Sequence, residues 1–493
     1  MSHTRPNILF AIADDASHMS AYGHQFLDTP AFDRVAREGV IFTQAFTTNP
    51  KCAPSRASIL TGRHTWQLEE ACDHWNVWPD KFVTYPDVLE EAGYHVGFTG
   101  KGWDPGDWKR TSRTKNPAGR RYEGRTLSPP NGCISKKDYA ANFSDFLDAS
   151  PNGSPFCFWY GGHEPHRPYH PGEGSEAGKD PNAIRVPSYF PDRPDVRSDL
   201  ADYAHEVEWF DQHLSLMLDE LERRGLLDNT LVIVTSDNGM PFPRVKGNMY
   251  DDDFRLPMAM MWHHGASNRG TSRTPDGSAA SGGIVLDDMI SFTDIAPTFL
   301  EAAGLTIHPQ MSGRSFLRLL DAKESGRFDP TRDRVCMGRE RHDLGREGDR
   351  GYPVRCIRTD QYLYVRNFCP DRWPAGNPET GFTGCDSSPT KDAVLSLHES
   401  GESSFFQLAF GKRPEEELYD VTNDPECIEN LAARDEFADI ARQLWCELKS
   451  YLLAQSDPRI LGNGEVFDSY EYVGDAEHSW RAYEEGRWKP QTY

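Results

Sequence analysis

Asn7-Ile-Leu-Phe-Ala-Ile-Ala-Asp-Asp15 is the stretch on which the fold turns. From Ile8 to Ala13 no polar residue marks a solvent side, so both faces must be covered, the condition of a strand inside a parallel sheet. The run stops at two adjacent carboxylates. At the C-terminal end of a central strand these repel each other unless a cation lies between them, and hard oxygen ligands suit calcium or magnesium. The plainer alternative is a solvated turn capping a helix. A second stretch weighs against it: Leu231-Val-Ile-Val-Thr-Ser236 is again a buried strand, and it runs into Asp237-Asn238-Gly239, where the glycine permits a sharp turn. Sites in open α/β sheets form at C-terminal strand ends, so Asp14, Asp15, Asp237 and Asn238 can converge on one ion.

Between the two strands, Thr29 to Gly39 reads as a capped amphipathic helix and Val40 to Phe46 as a strand. That strand leads into Lys51-Cys-Ala-Pro-Ser-Arg-Ala-Ser-Ile-Leu-Thr-Gly-Arg63. Pro54 suits the first turn of a helix and Gly62 its stop. Cys52 then sits near a helix N-terminus, where free N–H groups favour developing anions, and Arg56 follows one turn on. The bland reading is a buried cysteine before an ordinary helix.

The 493 residues carry a net charge of −23, with no basic stripe, which argues against nucleic-acid binding. Basic residues near Cys52 must therefore be clustered if an anion is to bind. Ten cysteines without a CxxC pair support neither a zinc site nor a disulfide framework, which fits a reducing compartment. No apolar run approaches a membrane span, and Met1-Ser-His-Thr-Arg-Pro6 lacks the apolar stretch of a signal peptide. A cytoplasmic location is expected, or a periplasmic or secreted one if a leader was removed. Oligomeric state leaves no signal.

Further along, Trp66 to Trp75 reads either as loop packing or as a sugar-facing rim presenting His74 and Trp75. Lys101 follows the strand Tyr94 to Thr99, between two glycines. Residues 104–131 lack periodicity and read as an excursion over the mouth of a site. The strand Phe156 to Tyr160 runs into His163-Glu-Pro-His-Arg167, where Pro165 argues against a helical HxxH zinc pair. Asp199 to Arg224 is a long packing helix. Lys246 or Arg244 can turn inward beyond Asn238. A composition shift at 339–352 divides the chain into residues 1–345 and a smaller unit, 346–493. In the smaller unit Val354 to Arg358, Tyr362 to Asn367 and Glu417 to Val421 read as antiparallel strands, and Glu436 to Leu453 as a helix.

The stretch from Lys51 to Arg63 resembles the signature of the type I, formylglycine-dependent sulfatases, and the likeness covers most of the chain. It is weakest from Trp103 to Asn131 and after Pro458. Ala13-Asp-Asp, His163-x-Pro-His-Arg167 and Ser236-Asp-Asn-Gly-x-Pro-Phe-Pro243 are similar to the heparan N-sulfatase branch in order and detail. The resemblance implies an alkaline-phosphatase-like α/β fold, a mostly parallel sheet sandwiched by helices with a smaller C-terminal antiparallel α+β subdomain. It also implies a hydrolase of sulfate esters or sulfamates on a sulfated sugar. Cys52 would be oxidised to formylglycine by a maturation enzyme, and Ca2+, or Mg2+, held by Asp14, Asp15, Asp237, Asn238 and modified Cys52. Arg56, Lys101 and Lys246 would neutralise sulfate, and His166 would meet the leaving group. His163, Arg167, Trp103 and His74 are expected to bind substrate.

One departure stands out. The family commonly reads Gly-Lys-x-His where this chain reads Gly100-Lys-Gly-Trp103, and indole has no basic lone pair. Either the step that histidine serves is slower, or another base supplies it, with His163 the nearest candidate, or a calcium-bound diol needs little help; Trp103 is then expected to stack on the sugar. Two rival functions remain: a phosphate or phosphonate monoester hydrolase of the same superfamily, and a non-catalytic binder of sulfated glycans.

Overall fold

The computed structural model describes residues 5–151, 153–263 and 283–490. Its main sheet is built from β1 (Asn7–Ala13), β2 (Val40–Phe46), β3 (His95–Gly100), β4 (Arg120–Arg121), β5 (Phe156–Gly161), β6 (Thr230–Ser236), β7 (Arg255–Met261), β8 (Ile284–Leu286) and β9 (Ile290–Ser291). The order is β8-β2-β7-β6-β1-β5-β3-β4, with β9 also on β2. β1 lies between β6 and β5 and parallel to both. Only β7 runs against its neighbours among these strands.

The covering helices are α1 (Pro30–Glu38), α2 (Cys52–Thr61), α3 (Tyr85–Glu91), α4 (Tyr139–Asp148), α5 (Pro194–Arg223) and α6 (Ile295–Ala302). Side chains alternate across a strand, so β1 feeds two cores at once. Leu9, Ala11 and Ala13 join Phe32 of α1, Phe143 of α4 and Phe210 of α5 on one side. Ile8, Phe10 and Ile12 join Ala57 of α2, Leu89 of α3 and Phe299 of α6 on the other. Each large apolar side chain so buried contributes about 1.5–3 kcal/mol, which is why β1 tolerates no polar residue until both layers end. Beyond β1 the chain leaves both layers, and there it can carry Asp14-Asp15.

The second sheet is antiparallel throughout: β10 (Arg334–Arg339), β11 (Val354–Thr359), β12 (Tyr362–Asn367) and β13 (Glu416–Asp420). One of its faces packs on Phe46 and Phe254 of the large unit, and the other on Leu444 and Leu448 of α7 (Ala438–Ala454). Its first strand lies before the expected division at 345/346, so the change of architecture comes earlier than the change of composition. All ten cysteines are free thiols. Among the described residues no helix is long and apolar enough to cross a membrane.

Candidate active site

Ala13 and Ser236 face each other in the β1–β6 register, so the residues after them leave the sheet side by side. The Asp15 amide donates to Asp237 Oδ1 at 3.1 Å, and Asn238 Nδ2 donates to Asp15 Oδ1 at 2.7 Å. These bonds hold Asp15 at φ 76°, a left-handed backbone that costs a non-glycine residue about 1–3 kcal/mol. Carboxylate oxygens of Asp14, Asp15 and Asp237 come within 4.8 Å of one another. Asn238 Oδ1 is buried and has no hydrogen-bond partner.

Cys52 is the first residue of α2, with Sγ 3.8 Å from Asp15 Oδ1. Burial, with Asp14 beside it, pushes the thiol well above its ordinary value. One turn on, Arg56 is fully buried. Its Nε donates to Asp237 Oδ2 at 2.7 Å, Nη1 to the Lys101 carbonyl at 2.7 Å, and Nη2 lies 3.5 Å from Asp14. The guanidinium therefore braces the carboxylates from behind. It does not line the cavity, contrary to the expectation that it meets sulfate directly.

Lys101 and Lys246 do line it. At Gly100, φ is 75° and an added Cβ would lie 1.9 Å from the Gly161 carbonyl, so only glycine lets β3 and β5 end this close together. Lys101 Nζ reaches Asp14 at 2.6 Å, and Lys246 Nζ reaches Asp15 at 2.6 Å and Asp386 at 2.9 Å. Against the penalty of burial, Lys101 and Arg56 hold the Asp14 carboxyl well below its usual range. Burial pushes Asp237 the other way, to about 7, despite Arg56.

His166 presents a partly exposed ring to the cavity. Its Nδ1 bonds the Arg167 carbonyl at 2.6 Å, leaving Nε2 on the Asp15 side at 3.9 Å. His163 also lines the cavity, but its Nε2 is 3.2 Å from Lys137 Nζ. Burial, then Lys137, lowers it to about 3. A ring held neutral beside an ammonium group is a weaker base than an ordinary imidazole, which counts against the replacement role. Arg167 borders the cavity with its guanidinium committed elsewhere: 2.8 Å from Asp199 and stacked between Tyr169 and Phe242. Trp103 is 1% exposed, packs edge-on against Trp78 at 5.0 Å and is not part of the lining. It is a core residue, not a sugar platform, because Gly102 and Asn116 turn the chain inward after Lys101, with the Trp103 amide donating to Asn116 Oδ1 at 3.0 Å.

The cavity holds about 550 Å³. Its far wall joins His74 and Trp75, the rim expected from the sequence, to positions the sequence did not mark. Lys51 sits 2.8 Å from Asp343, which also takes His74 Nδ1 at 2.8 Å; Thr383 and Asp386 complete that side. Burial lowers His74 to about 4, against the pull of Asp343. Lys51 was legible as the residue preceding the cysteine. Asp343, Thr383 and Asp386 lie in aperiodic loops where no local signal marks them.

Residues 6–305 match the sulfatase family model. The human protein named N-sulphoglucosamine sulphohydrolase is 28% identical, the match covering 95% of this chain and 94% of the human one. A solved structure described as a complex with its substrate D-glucosamine-2-N,6-O-disulfate superposes with a TM-score of 0.65 at 19% identity, covering 92% of this chain and 98% of that one. The phosphonate monoester hydrolase of Agrobacterium radiobacter gives 0.65 at 17% identity, covering 92% and 96%. At such identities the structural likeness establishes the fold and leaves the chemistry to the site.

Proposed function

Because the chain belongs to the sulfatase family, we propose that it removes sulfate from a sulfated amino sugar with Cys52, matured to formylglycine, as nucleophile. The observation that carries this reading is the setting of Cys52: a helix N-terminus that shares its cavity with the ammonium groups of Lys101 and Lys246, beside three converging carboxylates. Hydrated formylglycine supplies one hydroxyl to take up sulfur and a second whose loss of a proton lets sulfate go. Its formation makes a maturation enzyme a necessary partner.

The residues fit a hard divalent cation. Asp14, Asp15, Asp237 and the unpartnered amide oxygen of Asn238 offer an all-oxygen set, with Cys52 and His166 grouped beside Asp14. Calcium is the cation we assign to them, together with an oxygen of matured Cys52. Bound there, it supplies positive charge beside the reacting hydroxyl.

The side chains divide the remaining work. Lys101, bonded to Asp14, and Lys246, bonded to Asp15, are placed to neutralise sulfate oxygens, which offsets the acidity of the chain as a whole. Arg56 is a positioning residue, holding Asp237 and the backbone of Lys101. His166, its Nδ1–H fixed on a carbonyl, turns Nε2 to the Asp15 side, and the doubly protonated ring can pass its Nε2 proton to the departing oxygen or nitrogen. N-sulfate and O-sulfate draw on the same chemistry at sulfur, so the amino-sugar assignment rests on the names of the relatives.

The test is sulfate release from glucosamine-2-N-sulfate and glucosamine-6-O-sulfate by protein co-produced with a maturation enzyme. We expect turnover of at least one, and a loss of about 10⁴-fold or more in Cys52→Ala with the fold intact. Full activity in that variant, or turnover of phosphate monoesters alone, contradicts the reading.

A further inference from the structure

Beside the main cavity lies a smaller one of about 230 Å³, lined by Trp75, Asp343, Leu344, Thr383, Tyr472, Asp475 and His478. Trp75, Asp343 and Thr383 belong to both linings, so the two spaces share a wall. The segment after α7 thus reaches back to the mouth of the site. Resting on the proposed sulfatase activity, we infer that this second cavity is a saccharide subsite, taking an uncharged sugar joined to the sulfated one.

Trp75 is built as a platform. Its backbone stands at φ 55°, a left-handed conformation unfavourable for an aromatic residue, and is held there by the Val473 amide, which donates to the Trp75 carbonyl at 2.9 Å. Gly474 lies flat against the indole: a Cβ on it would come within 2.7 Å of the ring. Tyr472 stands beside the indole, ring centroids 6.4 Å apart and planes at 47°. Two partly exposed aromatic rings, fixed by the tail and open to a cavity, match the apolar faces of a sugar ring at little entropic cost.

The polar groups select the kind of sugar. Asp475 brings an exposed carboxylate, the oxygens of Asp343 being already bonded to Lys51 and His74; no lysine or arginine is among the lining residues, and Arg341 lies 5.9 Å over the Tyr472 ring. His478 Nδ1 lies 2.6 Å from the Lys489 carbonyl, so it carries the proton and donates, which in the neutral ring leaves Nε2 an acceptor. Such a lining accepts from hydroxyl groups and repels a uronate or a second sulfate. The main cavity differs in setting the ammonium groups of Lys51, Lys101 and Lys246 among its carboxylates. The pair of cavities therefore reads an anionic unit next to a neutral one.

The experiment compares kcat/KM of the formylglycine-bearing enzyme on three probes: N-sulfoglucosamine methyl glycoside, the same unit linked to a neutral hexose, and the same unit linked to a uronate. The neutral disaccharide is expected to exceed the monosaccharide by about tenfold, and the uronate disaccharide to show no such gain. Tyr472→Ala and, on the exposed loop, Asp475→Ala should each bring the disaccharide-to-monosaccharide ratio toward one, whereas Tyr472→Phe keeps it. If Tyr472→Ala does not fold, Asp475→Ala decides. A wild-type ratio of one, an equal gain with the uronate, or a ratio unmoved by Asp475→Ala overturns the subsite. The monosaccharide arm reads the parent activity alone: turnover there with a ratio of one sinks the subsite and spares the sulfatase reading. No turnover on any probe sinks the subsite for an N-sulfated unit, and the sulfatase reading falls with it only if glucosamine-6-O-sulfate is not hydrolysed either.

Discussion

The two walls of the cavity are built on different principles. One is made of strand ends and a helix start, where Asp14, Asp15, Cys52, Asp237 and Asn238 are nearly inaccessible and locked to one another. The other is made of loops, in which Trp75, Asp343, Thr383 and Asp386 come together from distant parts of the chain. On the proposed function, the first wall serves the chemistry at sulfur and the second what carries the sulfate. Rigid scaffolding suits a step that tolerates little displacement, and loops suit a partner that differs from one enzyme to the next.

Substitutions should separate the walls by kinetic signature. Lys101→Ala, on the rigid wall, is expected to lower kcat by about 10²–10³ with a smaller change in KM, as for loss of one preorganised stabilising group. Asp343→Asn, on the loop wall, frees Lys51 and His74 and is expected to raise KM about tenfold while kcat changes less. Steady-state kinetics on one sulfated sugar checks both. The division of labour breaks if the two variants show the same pattern.

A smaller effect concerns stability away from both walls. His64, bonded to Tyr451 at 2.6 Å and stacked on Trp66, is lowered by burial to about 3, and His213 to about 4. Their folded values lie below the unfolded value near 6.5, so the unfolded chain takes up the protons first. The stability they confer is complete above about pH 6.5 and is lost as pH falls toward those folded values, at up to about 1.4 kcal/mol per pH unit for each group. Denaturant unfolding between pH 7 and 4.5 should show this slope, and His64→Gln should flatten it in part. An unchanged slope in that variant would remove His64 from the account.

The rigid wall was readable because its signals are local. An apolar run that ends in acids, and a cysteine, proline and arginine at helical spacing, each state their surroundings within a few residues. Where reading went wrong, the decisive contact lay far off in the chain. Arg56 was correctly placed near the nucleophile, but only the fold shows its donors used on Asp237 and Lys101. Trp103 looked available for a sugar until Trp78, 25 positions earlier, closed over it. β7 escaped notice because Pro257 interrupts Arg255-Leu-Pro-Met-Ala-Met-Met261, and proline argues against a central strand. A register shift between Phe42 and Ala45 of β2 absorbs it. Asp343, Thr383 and Asp386 had no periodic element to announce them at all.

The account rests on one chemical change at one side chain, so the most direct measurement is mass spectrometry of the peptide spanning Cys52, from protein made with and without a formylglycine-generating enzyme. The result it predicts is the mass of an aldehyde in place of the thiol in the first sample only, with sulfate release rising in proportion to the converted fraction. An unmodified thiol in protein that nonetheless hydrolyses sulfated sugars at full rate would contradict it.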